Sequence, residues 1–312
     1  MPSVLTFIIG CTGSGKADLA RRLARHARGE IVSIDSMKVY RRMDIGTAKP
    51  SLEIRREIPH HLIDITEPAE EFSVAQYVTR AELSIADIRR RGRPIFFVGG
   101  TALYIKALTQ GLFEGPGADP ALRAELHEVV RTQGLEVLHA RLQRVDEKAA
   151  RRIHPNDLRR IVRALEVFEL TGKPISELQA QWDRDRTRYD CVFIGVRRGR
   201  EDQNHRTNGR VRRMIEAGFV DEVKSLLGEP EPLGATARKA LGYAEVIRHL
   251  DVELSLAEAV ELIKINTRHL DKAQRTWFKR FSGTEWIDLT PDEDLSMIVR
   301  NLLDRRGSLW TA

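Results

Sequence analysis

The feature that most constrains this fold is a glycine-rich loop between a short apolar run and a segment with helical spacing. Residues 4–9 are typical of a buried strand, and Leu19 and Leu23 belong to an apolar set that recurs with the period of a helix. The loop consists of Gly10, Cys11, Thr12, Gly13, Ser14, Gly15, Lys16 and Ala17. A strand, a glycine-rich loop that ends in lysine, and a helix together form a phosphate-binding loop.

Each part of this loop suits phosphate. Glycines let backbone N–H groups converge on phosphate oxygens, and the helix that follows adds the positive end of its dipole. Lys16 supplies a positive charge between phosphate groups, but the next position, which usually carries a serine or threonine hydroxyl for Mg²⁺, is Ala17. We therefore expect a phosphorylated small molecule to bind here. The metal ligands stay unknown, because Mg²⁺ can be held through water, by another side chain, or more weakly.

Length, charge and cysteine content limit the class of protein. A chain of 312 residues can build a full core with two lobes, and its net charge of +6 suits a nucleic-acid partner. Cys11 and Cys191 are too few for a disulfide framework or a four-cysteine zinc site. No apolar run approaches the roughly 18 residues of a membrane span, and no basic region precedes the first strand. We therefore expect a cytoplasmic protein without a membrane segment or signal peptide.

The remaining pattern predicts an α/β protein with a P-loop parallel sheet core, an inserted all-helical subdomain and a helical C-terminal part. Further strands are expected at residues 30–35, 94–98 and 190–196, with a last one at Glu285–Leu289, and they alternate with helices as in a parallel sheet. Proline and glycine near residue 116 mark the change to helical spacing. In the insertion, Asp119-Pro120 is expected to begin a helix that Gly134 ends, and Asn156-Asp157 is expected to cap another that Gly172 ends. Later helices are expected at residues 206–217 and 256–281, among others. We expect residues 1–115 and 190–312 to form the core and residues 116–189 the insertion.

Two polar residues follow predicted strands, where ligands bind in parallel sheets. Asp35 ends the second strand, and its carboxylate can accept a proton or hold a metal's water, or it can simply cap the next element. Thr101 follows two glycines and precedes a predicted helix. Its hydroxyl can donate to a bound anion, or it can serve as an ordinary helix cap.

Two basic helices favour nucleic acid more strongly together than either does alone. One carries arginines on one face, and a second, near the C-terminus, carries a stripe of five: Arg159, Arg160 and Arg163, then Lys264, Arg268, Lys272, Arg275 and Lys279. His60 and His61 are adjacent, so in a strand they point to opposite faces. We expect one to pack or bond locally and the other to face out, rather than a shared metal.

The chain resembles the tRNA dimethylallyltransferases, also called tRNA isopentenyltransferases, over nearly all of its length. The motifs that carry this resemblance are residues 10–16, 35–40, 43–50, 59–64, 98–104, 153–157, 241–243, 267–268 and 276–278. The loop alone is generic, whereas Asp-Ile-Gly-Thr-Ala-Lys-Pro at 44–50 combined with Gly-Gly-Thr-Ala-Leu-Tyr at 99–104 is highly specific. The chain is similar to the shorter, bacterial form, which lacks a C-terminal zinc finger.

The resemblance implies transfer of a dimethylallyl group from dimethylallyl diphosphate to N6 of the tRNA adenosine on the 3′ side of the anticodon. It implies Mg²⁺ as cofactor and a monomeric enzyme. Asp35 would take or hydrogen-bond the N6 proton, and Thr101 would donate to a diphosphate oxygen. The loop from Gly10 to Ala17, with Arg206 and Arg210, would bind the diphosphate. Contacts with tRNA would come from Asp35, Ser36, Met37, Lys38, Thr101, Arg123, Arg159, Arg160, Ile161, Val162 and Arg163.

Several positions depart from the family pattern. Besides Ala17, Lys38 stands where glutamine is common and Arg212 where aspartate is usual. Residues 271–275 read Asp-Lys-Ala-Gln-Arg, where the family typically has Ala-Lys-Arg-Gln and an apolar residue. Three alternatives therefore stay open: a divergent tRNA-binding paralogue with weak or no catalysis, a transferase that acts on free adenine nucleotides, and a P-loop small-molecule kinase, against which Ala17 and the specific motifs argue.

Overall fold

A parallel sheet organises the computed structural model, which describes residues 4–113, 115–179, 187–291 and 293–310. Its strands are β1 (Leu5–Gly10), β2 (Glu30–Ile34), β3 (His60–His61), β4 (Ile95–Gly99), β5 (Cys191–Arg198) and β6 (Glu285–Leu289). They form a six-stranded, all-parallel sheet in the order β3-β2-β4-β1-β5-β6. The predicted α/β class and the five predicted strands, which correspond to β1, β2, β4, β5 and β6, are confirmed.

The first strand lies at the centre of the sheet. Every residue of β1 is buried, with Leu5 paired to Ile95 on one side and to Cys191 on the other. The ring of Phe7 stacks on Phe97 at 4.8 Å, and both faces of the strand are covered. A strand buried on both faces reads as a continuous apolar run, which is why the sequence before the loop could be recognised.

The helices fall into two groups. The sheet is accompanied by α1 (Lys16–His26), α2 (Leu52–Glu57), α3 (Val74–Arg90) and α4 (Ala102–Gln110), and then, after an inserted group, by α10 (Arg200–Glu216), α11 (Phe219–Leu227), α12 (Ala235–Arg238), α13 (Tyr243–Leu250), α14 (Leu256–Phe278) and α15 (Leu295–Arg306). The inserted group consists of α5 (Pro120–Gln133), α6 (Leu135–Val145), α7 (Glu147–Arg152), α8 (Leu158–Thr171) and α9 (Ile175–Leu178). Within the described ranges, no helix is both long and apolar enough to cross a bilayer.

The chain divides into two compact units, Met1–Thr109 with Tyr189–Ala312, and Gln110–Arg188. The expected insertion was residues 116–189, of which 180–186 lie outside the described residues. The inserted unit begins at Gln110, the last residue of α4, which is six residues before the expected start at residue 116. The inserted unit has an apolar core of its own, which includes Leu126, Leu142 and Leu165.

Local signals set the ends of the inserted helices. The carboxylate of Asp119 accepts from the amide of Leu122 at 3.0 Å and begins α5, and that of Asp157 accepts from the amide of Arg160 at 3.1 Å and begins α8. Gly172, at φ 68°, ends α8 in the left-handed conformation. These capping predictions are confirmed.

Some element predictions were incomplete. Helix α10 was expected from residue 206, but it begins at Arg200, directly after Gly199 and with Glu201 and Asp202 in its first turn. Helix α3 was not predicted, although Ser73 and Gln76 form a capping box at its start. The expected extension of α14 to residue 281 is wrong, because the helix ends at Phe278.

Candidate active site

The phosphate loop begins where β1 ends and bends sharply into α1. A Cβ atom at Gly10 would lie 2.4 Å from the carbonyl oxygen of Val196 on the neighbouring strand, so only glycine fits there. Gly15 precedes α1 at φ 100°, a left-handed conformation that favours glycine. Because Lys16 and Ala17 open the helix, their backbone N–H groups have no intrahelical acceptor and suit an anion.

The lysine of the loop lies among other cations. Its Nζ donates to the carbonyl oxygen of Cys11 at 3.0 Å. Desolvation of the ammonium, reinforced by Lys38 and Arg210, lowers the pKa of Lys16 to about 8. A bound anion opposes these effects and favours the charged lysine, so the loop is built to receive negative charge.

Asp35 forms the turn after β2. Its Oδ1 accepts from the backbone amides of Met37 at 2.9 Å and Lys38 at 3.2 Å, so the capping role considered from the sequence is present. Both bonds use Oδ1, and the carboxylate retains Oδ2 with which to accept a proton. Asp35 lines two cavities at this edge of the sheet.

Thr101 connects this turn to the end of β4. Its Oγ1 accepts from the amide of Ser36 at 3.2 Å, while its own amide donates to the carbonyl of Ile34 at 3.2 Å. The hydroxyl oxygen is thus used as an acceptor, and its proton can be donated to a ligand. The structure brings Asp35, Thr101 and Lys16 to the same cavity wall, as the strand ends predicted.

The first cavity, of about 490 Å³, is strongly cationic. Its basic lining residues are Lys16, Arg21, Lys38, Arg206, Arg210, Arg212 and Arg213, whereas its carboxylates are those of Asp18 and Asp35. Arg206 is also fixed to the loop, because its Nε donates to the carbonyl of Gly13 at 2.9 Å. Such an excess of positive charge suits a diphosphate.

The second cavity, of about 410 Å³, is mainly apolar. Its lining includes Met37, Leu103, Met214, Phe219, Ile263 and Trp277. It shares Lys16, Asp35 and Arg210 with the cationic cavity, so the two adjoin at these residues. One ligand can therefore place its phosphates in the first cavity and a short hydrocarbon group in the second.

Comparisons with known proteins identify the family. The IPP transferase family model matches residues 38–281. The chain belongs to the IPP transferase family. It is 50% identical over 284 residues to a tRNA dimethylallyltransferase of Geobacter metallireducens, covering 91% of this chain and 92% of that protein. It is 48% identical to the tRNA dimethylallyltransferase of Geobacter sulfurreducens, covering 93% of each.

Solved structures of IPP transferases share the fold. The full-length tRNA isopentenylpyrophosphate transferase of Bacillus halodurans matches with a TM-score of 0.73 and 37% identity, over 99% of this chain and 97% of that one. A eukaryotic dimethylallyltransferase acting on tRNA matches with a TM-score of 0.77 and 29% identity, over 97% of this chain and 77% of that one. The family resemblance drawn from the motifs is confirmed.

In this IPP transferase, three of the arginines predicted to contact tRNA, namely Arg123, Arg160 and Arg163, make internal ion pairs in the inserted unit. Arg123 Nε and Arg163 Nη1 donate to the fully buried carboxylate of Glu166 at 2.8 Å and 2.6 Å. Burial alone would raise the pKa of Glu166, and these hydrogen bonds bring it below its usual range. Arg160 pairs with Asp157 at 2.7 Å. The tRNA contacts stay a prediction for these residues.

The neighbouring residues of α8 differ in exposure. The side chain of Arg159 is exposed, whereas Ile161 and Val162 are buried in the apolar core of the inserted unit. In this arrangement Ile161 and Val162 stabilise the helix rather than present a side chain to RNA. Their burial follows from the apolar spacing of α8, and an RNA contact from them would involve the backbone.

The two histidines have structural partners. His60 Nδ1 lies 2.6 Å from the carbonyl oxygen of Ile58, and His61 Nε2 lies 2.7 Å from Glu30 Oε2. Both rings are partly buried, so the expectation that one faces out is wrong, because the acidic Glu30 on β2 lies beside His61. Among the described residues, no group of three or more histidines, cysteines, aspartates or glutamates is placed to hold a metal.

The oxygen donors at the cationic cavity fit Mg²⁺ only together with a phosphate ligand. Ala17 offers no hydroxyl, and Asp18 is paired with Arg21 at 3.2 Å. Asp35 is the second carboxylate of this wall. Mg²⁺ usually keeps several waters and binds one or two carboxylates plus substrate phosphates. These residues therefore fit a metal that enters with the diphosphate, not one that the protein holds alone.

Three polar residues that hydrogen-bond to the backbone of the phosphate loop were not predicted from the sequence: Gln203 of α10, and Asp271 and Gln274 of α14. A signal for two of them was present. Thr267, Asp271 and Gln274 are spaced four and three residues apart, on the same face of α14 as the buried Ile263 and Phe278. Polar residues on a buried helix face need partners, and here the partner is the phosphate loop.

Proposed function

We propose that this IPP transferase moves the dimethylallyl group of dimethylallyl diphosphate to N6 of the adenosine 3′-adjacent to the anticodon in tRNA, and releases diphosphate. The observation that carries the proposal is the junction of a cationic and an apolar cavity at Lys16, Asp35 and Arg210. The cationic cavity can take the diphosphate leaving group, and the adjoining apolar cavity can take the dimethylallyl group. The names of the relatives support the choice of tRNA as acceptor.

The cationic cavity serves the leaving group. As the bond between the allylic carbon and oxygen breaks, negative charge gathers on the diphosphate, and donors that are already aimed at it lower the barrier. Lys16 and the loop amides other than that of Thr12, whose N–H is held by Asp271 and Gln274, bind the phosphates, with Arg206 and Arg210 beside them. Thr101, which lines the adjoining apolar cavity, donates a hydrogen bond from its hydroxyl to a diphosphate oxygen.

The acceptor is activated at Asp35. As adenine N6 forms its bond with the allylic carbon, the nitrogen loses a proton, which the Asp35 carboxylate accepts. The apolar cavity surrounds the dimethylallyl group and excludes water from the reacting carbon. Because an adenine stacked in the anticodon loop cannot reach this wall, the base must turn out of the stack.

We propose Mg²⁺ as the cofactor, which Asp18 or Asp35 would hold together with the diphosphate and water. When bound, it neutralises part of the diphosphate charge. The cationic side chains do the same from the protein side. Their abundance agrees with a site in which no protein hydroxyl is offered to the metal.

Further proposals concern tRNA and the state of the enzyme. We propose tRNA contacts at residues 35–38, at Thr101, at Arg123 and at residues 159–163. The exposed Arg159 and Arg160 and the half-exposed side chain of Arg123 can meet phosphates in solution. A tRNA substrate also favours the cytoplasm, and we propose that the enzyme acts there as a monomer.

The test is transfer of label from radiolabelled dimethylallyl diphosphate to unmodified tRNA, with free AMP and ATP as parallel acceptors and Mg²⁺ titrated. We expect label in tRNA alone. Label in AMP or ATP would instead establish a transferase for free nucleotides. Binding of tRNA without any transfer would establish a paralogue that has lost the chemistry.

A further inference from the structure

Both backbone polar groups of Thr12, in the phosphate loop, are held by side chains from distant helices. Its amide donates to Asp271 Oδ1 at 3.1 Å and to Gln274 Oε1 at 3.2 Å. Its carbonyl accepts from Gln203 Nε2, which also lies 3.5 Å from Asp271 Oδ2. The peptide of Thr12 is therefore fixed, and its N–H is used within the protein instead of being offered to phosphate.

The carboxylate of Asp271 is buried, with only 1% of the residue exposed. The charged or titratable groups that act on it are Lys16 of α1, Arg210 of α10, Arg275 of α14 and the thiol of Cys11 in the loop. Burial raises its pKa to about 6, against the opposing effects of the Thr12 amide and Lys16. At neutral pH an ionised carboxylate therefore lies in contact with the phosphate loop.

Such a charge is unusual beside a loop that binds anions. In this chain Asp271 acts on the loop in two ways, through a hydrogen bond and through its charge. The two effects can be separated, because asparagine keeps an acceptor oxygen and has no charge.

We propose that Asp271 is a positioning residue that fixes the Thr12 peptide of the phosphate loop and, when ionised, weakens the loop's hold on diphosphate. The proposal rests on the proposed function in one respect, that diphosphate is the ligand of this loop. Its consequence for the reaction is easier release of the diphosphate product from a cavity rich in arginine and lysine.

The direction of the pH dependence follows from linkage. A diphosphate that binds Lys16 removes a favourable partner of the ionised Asp271 and adds negative charge, so the pKa of Asp271 is higher in the bound state than in the free state. The bound state then holds more protons, and affinity falls as the pH rises above the free-state value of about 6. A neutral residue at position 271 abolishes this contribution.

The experiment measures the dissociation constant of inorganic pyrophosphate by calorimetry, without metal and between about pH 5.5 and about pH 8.5. The proteins are the natural chain, Asp271→Asn, Asp271→Ala and the control Glu261→Gln. Glu261 lies on the same helix, is exposed and pairs only with the nearby Lys264 among the ion pairs described for it. Titration of pyrophosphate itself is common to all four proteins and cancels in their ratios.

We expect Asp271→Asn to bind pyrophosphate as the natural chain does near pH 5.5 and about tenfold more tightly near pH 8.5, the effect of a one-unit difference between the two pKa values. Glu261→Gln should follow the natural chain throughout. A ratio that stays flat with pH, or weaker binding by Asp271→Asn near pH 8.5, would overturn the proposal. Thermal unfolding of each protein confirms folding, and Asp271→Ala supplies the same charge test if the asparagine variant does not fold.

Steady-state transfer separates the hydrogen bond from the charge. Both neutral variants should lower the KM for dimethylallyl diphosphate near pH 8.5. Asp271→Asn should retain more of kcat than Asp271→Ala, because only asparagine can still accept from the Thr12 amide; equal kcat values would contradict the positioning role. If no protein transfers label to tRNA while the pH-dependent pyrophosphate binding is present, the proposed function fails and this inference stands.

Discussion

The edge of the sheet and the basic helix α8 of the inserted unit both contain residues predicted from sequence to be functional, but their side chains are used differently. At the sheet edge, Lys16, Asp35 and Thr101 all line the apolar cavity. In the inserted unit, Arg163 neutralises the buried Glu166. A strand end fixes where a side chain lies, whereas a run of arginines says only that charge is present.

The energetic roles differ accordingly. Asp35 forms its turn through one carboxylate oxygen and lies at the cavity wall, so its loss should affect the reaction more than the fold. Arg163 pairs with a carboxylate that water cannot reach, so its loss should affect the fold first. Measurements that separate activity from stability therefore test the comparison.

The largest effect should come from Asp35→Asn. Because asparagine keeps the turn but cannot accept the N6 proton, we expect transfer to fall by about a hundredfold or more. Pyrophosphate binding should change little, since the loop amides and Lys16 remain. Single-turnover kinetics measures the transfer rate, and calorimetry on the same preparation measures pyrophosphate binding. Equal losses of transfer and of binding would contradict a role of Asp35 as base.

The second effect concerns stability of the inserted unit. Arg163→Ala leaves Glu166 with one fewer partner, and we expect the free energy of unfolding to fall by about 1–3 kcal/mol. Arg159→Ala, on the exposed face of the same helix, is the matched control and should change it by less than about 0.5 kcal/mol. Urea unfolding measures the free energy of unfolding of both variants. Similar losses for Arg163→Ala and Arg159→Ala would contradict a specific stabilising role of Arg163.

The pH dependence of that stability follows from Glu166. Its pKa is lowered in the folded chain, so its contribution is present above the unfolded value of about 4.5 and is lost as the pH falls through the folded value. We expect Glu166→Gln to be less stable at neutral pH and to lose less on acidification. The free energy of unfolding is measured for the variant and the natural chain as the pH is lowered. An equal loss of stability in the two proteins would contradict this expectation.

The smallest effect should be that of Ala17→Thr. A hydroxyl at the start of α1 adds a ligand that Mg²⁺ can use, so we expect a severalfold lower Mg²⁺ concentration at half-maximal activity. Ala17→Val, similar in size but without the hydroxyl, is the control. If Ala17→Thr left the Mg²⁺ requirement unchanged, another ligand would already compensate.

The parts of the fold that sequence could predict are those with local signals. The β1–loop–α1 unit was recognised from one apolar run and its glycines, and α8 from its Asp157 cap and Gly172 end. Helix α10 was placed too late because its first turn is polar and carries no apolar spacing. Local patterns decide what an element is, and they mark its ends only where a cap is present.

The hydrogen bonds from α10 and α14 to the phosphate loop could not be predicted from local patterns. Thr12 and Asp271 are 259 residues apart, and their contact depends on how α14 packs on the sheet. The sequence offers only a hint, namely polar side chains on a face of α14 that is otherwise apolar. This pattern indicates that the polar side chains of α14 have hydrogen-bond partners, and the tertiary structure is needed to identify them.

The most direct test of the account is to map the product on tRNA. Unmodified tRNA is treated with dimethylallyl diphosphate and either the natural chain or Asp35→Asn, then digested and analysed by mass spectrometry. With the natural chain we expect a gain of one dimethylallyl group on the adenosine 3′-adjacent to the anticodon, and with Asp35→Asn we expect almost none. A gain at another nucleoside, or an equal gain with Asp35→Asn, would contradict it.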